Sequence, residues 1–299
     1  MKRRSIPIVL AGVLAVGALL TACGDDSGSS SATTGGSSSA AGLTVKATEY
    51  KFDVSGSAGA GYNKVTFEND GKMPHILVAI KLQPGKTVKD ALPLLEQEGE
   101  PDPAAAAAVF DGDPSTAFYG TPGLISPGVT ETTFADFPAG NYAFVCFLPG
   151  PGGQPHFMLG MATDFTVADS GGSDTPPQTA GTITIAADKI TAPEGMKSGT
   201  YEVKNTGSDP SDFNLAGPTD AQVSDFDNAV NGFFNAMVSG EEDAVFQAPA
   251  PIFGGLSDTI PAGKSGYVQL DLTKGRYLMA GNSDQDTGKT LVSGEFTVS

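Results

Sequence analysis

The stretch VCFLPGPGGQPHFMLGM (145–161) decides how the chain is read. The 299 residues include two cysteines and two histidines. One of each stands here: nine residues separate Cys146 from His156, and Met161 follows the histidine by five positions. The left flank, GNYAFVCFL (140–148), is an apolar run after a glycine turn, the pattern of a buried strand. The right flank, MATDFTV (161–167), closes the set as a further short strand. Between them Pro149, Pro151 and Pro155 fix backbone angles in a glycine-rich loop. A cysteine at a strand end and a histidine on the loop that follows can both be aimed at one ion.

Outward from this stretch the chain reads as further short strands. LTVKATEYKFDV (43–54), NKVTFEND (63–70) and TETTFADF (130–137) alternate, and HILVAIKL (75–82) is compact and apolar. Many short strands punctuated by Pro and Gly indicate an all-β sandwich. Residues 87–110 break the rhythm. They read as a helical insertion interrupted by Pro93 and by the Pro101/Pro103 pair.

After a linker, ADSGGSDTPPQTAG (168–181), the pattern returns. FENDGKMPHI (67–76) matches VKNTGSDPSD (203–212), with Asn, Gly and Pro in register. AGNYAFVC (139–146) matches KGRYLMAG (274–281), and DFTV (164–167) matches EFTV (295–298). The second copy carries its own helical-looking insertion, AQVSDFDNAVNGFFNAMV (221–238). One domain has been duplicated. In the second copy Ser211 stands at the place of His75 and Gly281 at that of Cys146, and that copy contains no His or Cys.

The start of the chain belongs to neither copy. Residues 1–22 have a basic beginning, a short apolar run and small residues, the layout of a secretory signal. Their end, LTAC, resembles a bacterial lipobox, which implies that Cys23 is lipidated and begins the mature protein; an uncleaved anchor is the other reading. Residues 23–42 are Gly/Ser-rich and read as a tether. The expected organisation is therefore signal 1–22, tether 23–42, first domain 43–169, linker 170–181 and second domain 182–299. The expected location is the extracytoplasmic face of a bacterial membrane, reached through the lipid anchor. Removing residues 1–22 takes away three basic residues and leaves 14 basic against 34 acidic, a net charge of −20. Nucleic acid and anionic headgroups are poor partners for such a surface. Solubility accounts for the charge, and so does docking to a basic or membrane-bound redox partner.

With Cys23 assigned, Cys146 is a lone thiol in an oxidising compartment, either buried and inert or held by something. Two imidazoles, a thiolate and a weak thioether form the ligand set of blue copper. Here residues 43–167 resemble the cupredoxin family. MPHILV is similar to that family's first-histidine strand, and YAFVC…HFMLGM to its Cys–His–Met loop, including the His-x3-Gly-Met spacing. The gap from Cys146 to His156 is longer than in plastocyanin and closer to that of copper nitrite reductases. The resemblance implies one type 1 copper in the first domain, held by His75, Cys146, His156 and Met161, with Met158 as a rival thioether. It implies two cupredoxin-like Greek-key sandwiches in tandem, each with a helical insertion, the second without ligands. A metal-free reading gives each residue an ordinary place: Cys146 and Met161 in the core, His75 at a turn, His156 on an exposed loop.

Enzyme motifs are weak. Both histidines are used, which leaves none for a Ser–His–Asp triad or a second catalytic copper. The GKT and GKS stretches at Gly85, Gly263 and Gly288 lack the upstream glycine of a phosphate loop. The expectation is a non-enzymatic electron carrier or copper carrier; the alternative is a copper-free lipoprotein whose sandwiches bind or brace.

Overall fold

Alternation in the sequence becomes strand pairing in the computed structural model, which describes residues 42–97, 99, 101–239, 248–282 and 291–299. The signal segment, Cys23 and the tether up to residue 41 lie outside the described residues. The first copy builds β1 (Gly42–Thr48), β2 (Lys51–Gly56), β3 (Ala58–Gly59), β4 (Gly61–Asn69), β5 (Val78–Leu82), β6 (Thr130–Phe137), β7 (Gly140–Val145) and β8 (Ala162–Ala168). One sheet runs β2-β1-β4-β6 and the other β3-β8-β7-β5. Period-2 burial sets the facing: Val65 and Phe67 of β4 and Ala135 and Phe137 of β6 point inward. They share a core with Tyr142, Phe144, Phe165 and Val167 of the opposite sheet. Burying each such aromatic or large aliphatic side chain contributes about 1.5–3 kcal/mol.

The second copy repeats the plan with β9 (Gly181–Ile185), β10 (Ile190–Thr191), β11 (Gly199–Asn205), β12 (Ser211–Ala216), β13 (Ile252–Ile260), β14 (Ser265–Leu270), β15 (Gly275–Asn282) and β16 (Leu291–Val298). Its sheets are β10-β9-β11-β14 and β13-β12-β15-β16. The sense of pairing is the same: β1 is parallel to β4 and β9 to β11, while β7–β8 and β15–β16 are antiparallel. Side chains repeat as well. Tyr142 donates its hydroxyl to the Pro138 carbonyl (2.7 Å) and stacks on Phe165, with ring centres 5.1 Å apart. Tyr277 donates to the Thr273 carbonyl (2.9 Å) and stacks on Phe296, also at 5.1 Å. Gly140 and Gly275 open the matched strands with φ of 145° and 149°, and at Gly275 a Cβ would lie 2.4 Å from a Pro218 carbon. The fold is all-β, two sandwiches in tandem, each with a helical insertion.

Those insertions are α1 (Val88–Leu95) and α2 (Pro103–Ala107) in the first copy and α3 (Val223–Ser239) in the second. Each lies between the strands matched as β5/β12 and β6/β13–β14. Pro93 does not end α1, which continues two residues beyond it; so near the C-terminus a proline forfeits one of the last few helical bonds only. Asp102 caps α2, accepting from the N–H groups of Ala104 and Ala105, with Pro103 at the first helical position.

Three local expectations change. The run 43–54 is a hairpin rather than one strand: it turns at Glu49 and Tyr50, so that Leu43 pairs with Gly56. Gly42, placed in the tether by composition, is the first residue of β1 because its neighbours pair with β4. β5 starts at Val78, and His75 is joined to the fold by a single bridge to Ile125.

The copies are joined edge to edge. β14 pairs with β6 at Val268–Thr133 and Gln269–Thr132, which makes one eight-stranded sheet. The described residues from 42 onward form one compact unit.

Candidate metal centre

Three segments bring the predicted donors together, beginning with the turn 70–74 before His75. Buried Asn69 organises that turn. Its side-chain amide donates to the carbonyls of Met73 (2.9 Å) and Ile125 (3.2 Å), and its oxygen accepts from Gly71 N–H (3.0 Å). His75 then exchanges backbone hydrogen bonds with Ile125, at 3.2 and 3.0 Å. Its side chain is fully buried.

The second and third segments are the two arms of the long loop, which closes on itself. Leu148 O accepts from His156 N–H (2.8 Å), and Cys146 O from Phe157 N–H (3.0 Å). Gly150 N–H donates to Gln154 O (2.7 Å). The surplus residues form a short Pro/Gly tip, and the nine intervening residues leave Cys146 Sγ 3.4 Å from His156 Nδ1. Gly150 permits this, because a Cβ there would lie 2.8 Å from Leu159 and 3.1 Å from the His156 ring. Gly160, at φ 115°, ends the turn after His156, and Met161 follows it. Met161 N–H donates to His156 O (2.9 Å), and Met161 O accepts from Cys146 N–H (3.1 Å). Its side chain is fully buried in the same apolar cluster as Cys146, whereas Met158 is 43% exposed.

His75 Nδ1 lies 3.3 Å from His156 Nδ1, and one donor atom from each of His75, Cys146 and His156 falls within 4.8 Å of the others. An ion with nitrogen ligands at about 2.0–2.1 Å and sulfur at about 2.3 Å, in tetrahedral array, holds them about 3.4 Å (N to N) and about 3.6 Å (N to S) apart. The two edges that meet at His156 Nδ1, 3.3 Å to His75 Nδ1 and 3.4 Å to Cys146 Sγ, have that size, and the third lies within 4.8 Å. Burial lowers the pKa of both imidazoles to about 4; the facing His156 adds to this at His75, and Glu49 opposes it at both. Burial pushes the Cys146 thiol up to about 12, while the N–H groups of Ile76 and Leu148 aimed at its sulfur pull the other way. At neutral pH the three groups are therefore uncharged lone-pair donors, and a cation ionises the thiol by compensating its charge. Two imidazoles and a thiol, with a buried thioether in the apolar cluster that holds the thiol, suit copper in both oxidation states. The residues fit the metal that the sequence implies.

The second copy is closed at the matching place. Ser211 turns its hydroxyl to the Asp212 carbonyl (3.0 Å). A Cβ on Gly281 would lie 2.6 Å from that carbonyl oxygen and 2.8 Å from Ser211 Oγ. β12 runs back to Ser211 because β13 holds it there, where the first copy keeps only the His75–Ile125 bridge.

Sequence reading missed four residues around the donors. The Tyr50 ring lies 4.8 Å from that of His156, and its hydroxyl donates to Met73 Sδ (3.6 Å). Glu49 Oε1 approaches His75 Nε2 at 3.8 Å. Gly71 and Asn69 shape the turn; their presence in register in both copies was the available signal, whereas nothing in TEYK marks a turn.

No protein-family model matches the chain, and no curated protein matches it. Solved structures do. A multicopper oxidase aligns at 15% identity over 86% of this chain and 88% of its own, with a TM-score of 0.25. A dithionite-reduced auracyanin from the photosynthetic bacterium Roseiflexus castenholzii aligns at 23% identity over 45% of this chain and 99% of its own, with a TM-score of 0.28. A copper-containing nitrite reductase from Thermus scotoductus aligns at 11% identity over 86% of this chain and 61% of its own, with a TM-score of 0.20. At such scores these likenesses carry no argument about this chain, whose functional reading rests on its own donor geometry.

Proposed function

We propose that the first sandwich is a type 1 copper domain that carries electrons, or copper itself, at the outer face of a bacterial membrane. The observation that carries the reading is the buried convergence of His75, Cys146 and His156. Bound copper would supply one-electron chemistry between Cu(II) and Cu(I). The chain holds the donors rigidly: His75 from the Asn69 turn, Cys146 from the end of β7, His156 from the zipped loop. The N–H groups of Ile76 and Leu148 support negative charge on the sulfur. Burial favours Met161 over Met158 as the thioether that would help to hold the metal. The second sandwich takes no copper and braces the first through the shared sheet. The protein is not an enzyme on this reading, since both histidines of the chain serve one centre. A basic or membrane-bound protein is the redox partner, and the anchor is lipid on Cys23.

Adding copper to wild-type protein and to Cys146→Ser, with metal content and visible spectrum recorded, tests the centre. Wild type is expected to bind one copper per chain with an intense sulfur-to-metal charge-transfer band, and Cys146→Ser to lose the band. Equal copper content in the two proteins, or a colourless wild-type adduct, would sink the assignment. That result would leave the donors as a hydrogen-bonded trio in a binding or structural lipoprotein.

A further inference from the structure

We propose that Glu49 is the outer-sphere carboxylate of this centre: it positions the His75 ring and raises preference for the more highly charged metal ion. The inference rests on the copper reading. If His75 offers Nδ1 toward the shared point with His156 and Cys146, its proton sits on Nε2. That nitrogen is buried and has no hydrogen-bond partner among the described residues. Glu49 Oε1 faces it at 3.8 Å, a gap that a small tilt of ring or carboxylate closes.

The carboxylate is held in place from behind. Oε1 accepts from the backbone N–H of Lys72 and from that of Met73 (2.9 Å), in the turn that leads into His75. Gly71 keeps the two groups in view of each other. A Cβ there would lie 2.6 Å from Glu49 Oε1 and 2.9 Å from His75 Nε2. A side chain at position 71 would occupy the place where carboxylate and imidazole meet.

The second copy supplies an internal control. Strand register equates Ala47 with Ile185, through their partners Asn69 and Asn205, so Ala187 stands at the place of Glu49. The Asn–Gly frame persists there: Asn205 donates to Asp209 O (2.8 Å) and Ile260 O (2.8 Å), and accepts from Gly207 N–H (2.9 Å). The turn therefore forms without a carboxylate. The copy that lacks the imidazole also lacks the acid, so Glu49 goes with the ligand and not with the fold.

A carboxylate behind a metal-bound imidazole strengthens its donor nitrogen and fixes the ring, and removing such a partner costs about 10–100-fold in metal affinity. Its negative charge favours the higher oxidation state. Glu49→Gln keeps the size and the acceptor oxygen for the turn but removes the charge. Copper-loaded wild type, Glu49→Gln and Glu49→Asp would be compared by reduction potential and by competition for Cu(II) and Cu(I), with melting temperature of the metal-free proteins as a folding control. Glu49→Gln is expected to keep the coloured band, to lose about 10–100-fold in Cu(II) affinity with a smaller loss for Cu(I), and so to show a raised potential. Glu49→Asp, charged but shorter, is expected to fall between it and wild type. An unchanged potential in a coloured, folded Glu49→Gln protein overturns the inference and leaves the copper reading standing. A potential that follows melting temperature across the variants overturns it too, because Glu49 would then only cap the turn. Colourless wild-type protein overturns the copper reading, and this inference with it.

Discussion

At the scale of single residues, the two copies show which positions serve the fold and which serve the site. Asn69 and Asn205 make the same three hydrogen bonds in the same turn. Truncating either removes all three bonds, and a typical hydrogen bond contributes about 0.5–1.5 kcal/mol. Asn69→Ala and Asn205→Ala are therefore expected to lose similar stability in chemical denaturation of the metal-free protein. Asn69→Ala alone is expected to alter the spectrum of the copper-loaded protein, because only that turn carries a ligand. If neither variant loses more than about 0.5 kcal/mol, the range of ordinary surface substitutions, the turn does not depend on the asparagine. This contrast also explains what was legible. His75, Cys146 and His156 stand out because the chain has so few residues of those types, and the duplicated frame exposes Asn69 and Gly71. Glu49 and Tyr50 were hidden. They sit in a turn with no Gly, Pro, Asn or Asp to mark it; its one trace is a slip of the apolar positions from 43, 45 and 47 to 50, 52 and 54.

At the scale of elements, the strand runs were readable because strands such as β4 and β6 bury alternate residues and β7 is a continuous apolar run, while the joint between sandwiches was not. Composition does not say which sheet edges meet, and β6–β14 pairing involves two residues from each strand. Glu131 of β6 lies at this joint, fully buried. Its carboxylate accepts from Gly123 N–H (3.1 Å) in the first copy and from Gly255 N–H of β13 in the second. Burial holds its pKa well above the ordinary carboxylate range, against the pull of those two bonds. The folded protein thus binds this proton more tightly than the unfolded chain, whose glutamates titrate near about 4.3. Its contribution to stability is fully present below that value and is lost as pH rises toward the raised folded pKa. Glu131→Gln stays neutral at every pH. Its stability relative to wild type is therefore expected to improve from acid to neutral pH, by about 1.4 kcal/mol for each tenfold difference in proton affinity. Urea denaturation of both proteins across that range measures it, and a difference that stays constant with pH refutes the assignment.

At the scale of the whole molecule, the His75–Cys146–His156 donor cluster sits in the first of two sandwiches on a strongly acidic chain. The fold begins at Gly42, and on our proposal the segment before it accounts for place. LTAC ends a short apolar run with a basic start, and on our proposal Cys23 carries the lipid. A Gly/Ser-rich chain of about 20 residues spans on average about 25 Å, enough to lift the first sandwich clear of headgroups and let His156's loop meet a membrane-bound partner. The net charge of −20 after removal of residues 1–22 works with the anchor rather than against it. Like charge would keep the sandwiches off an anionic surface, within a Debye length of about 8 Å at physiological salt, while the proposed acyl chains would hold the far end. One chain of fatty acid retains a protein only marginally, so the anchor needs several. Cys23→Ala is accordingly expected to move the protein from the membrane fraction to the soluble fraction without changing its copper content or spectrum. If the variant fractionates with membranes as firmly as wild type, the apolar segment itself is the anchor and Cys23 is not the lipidated residue.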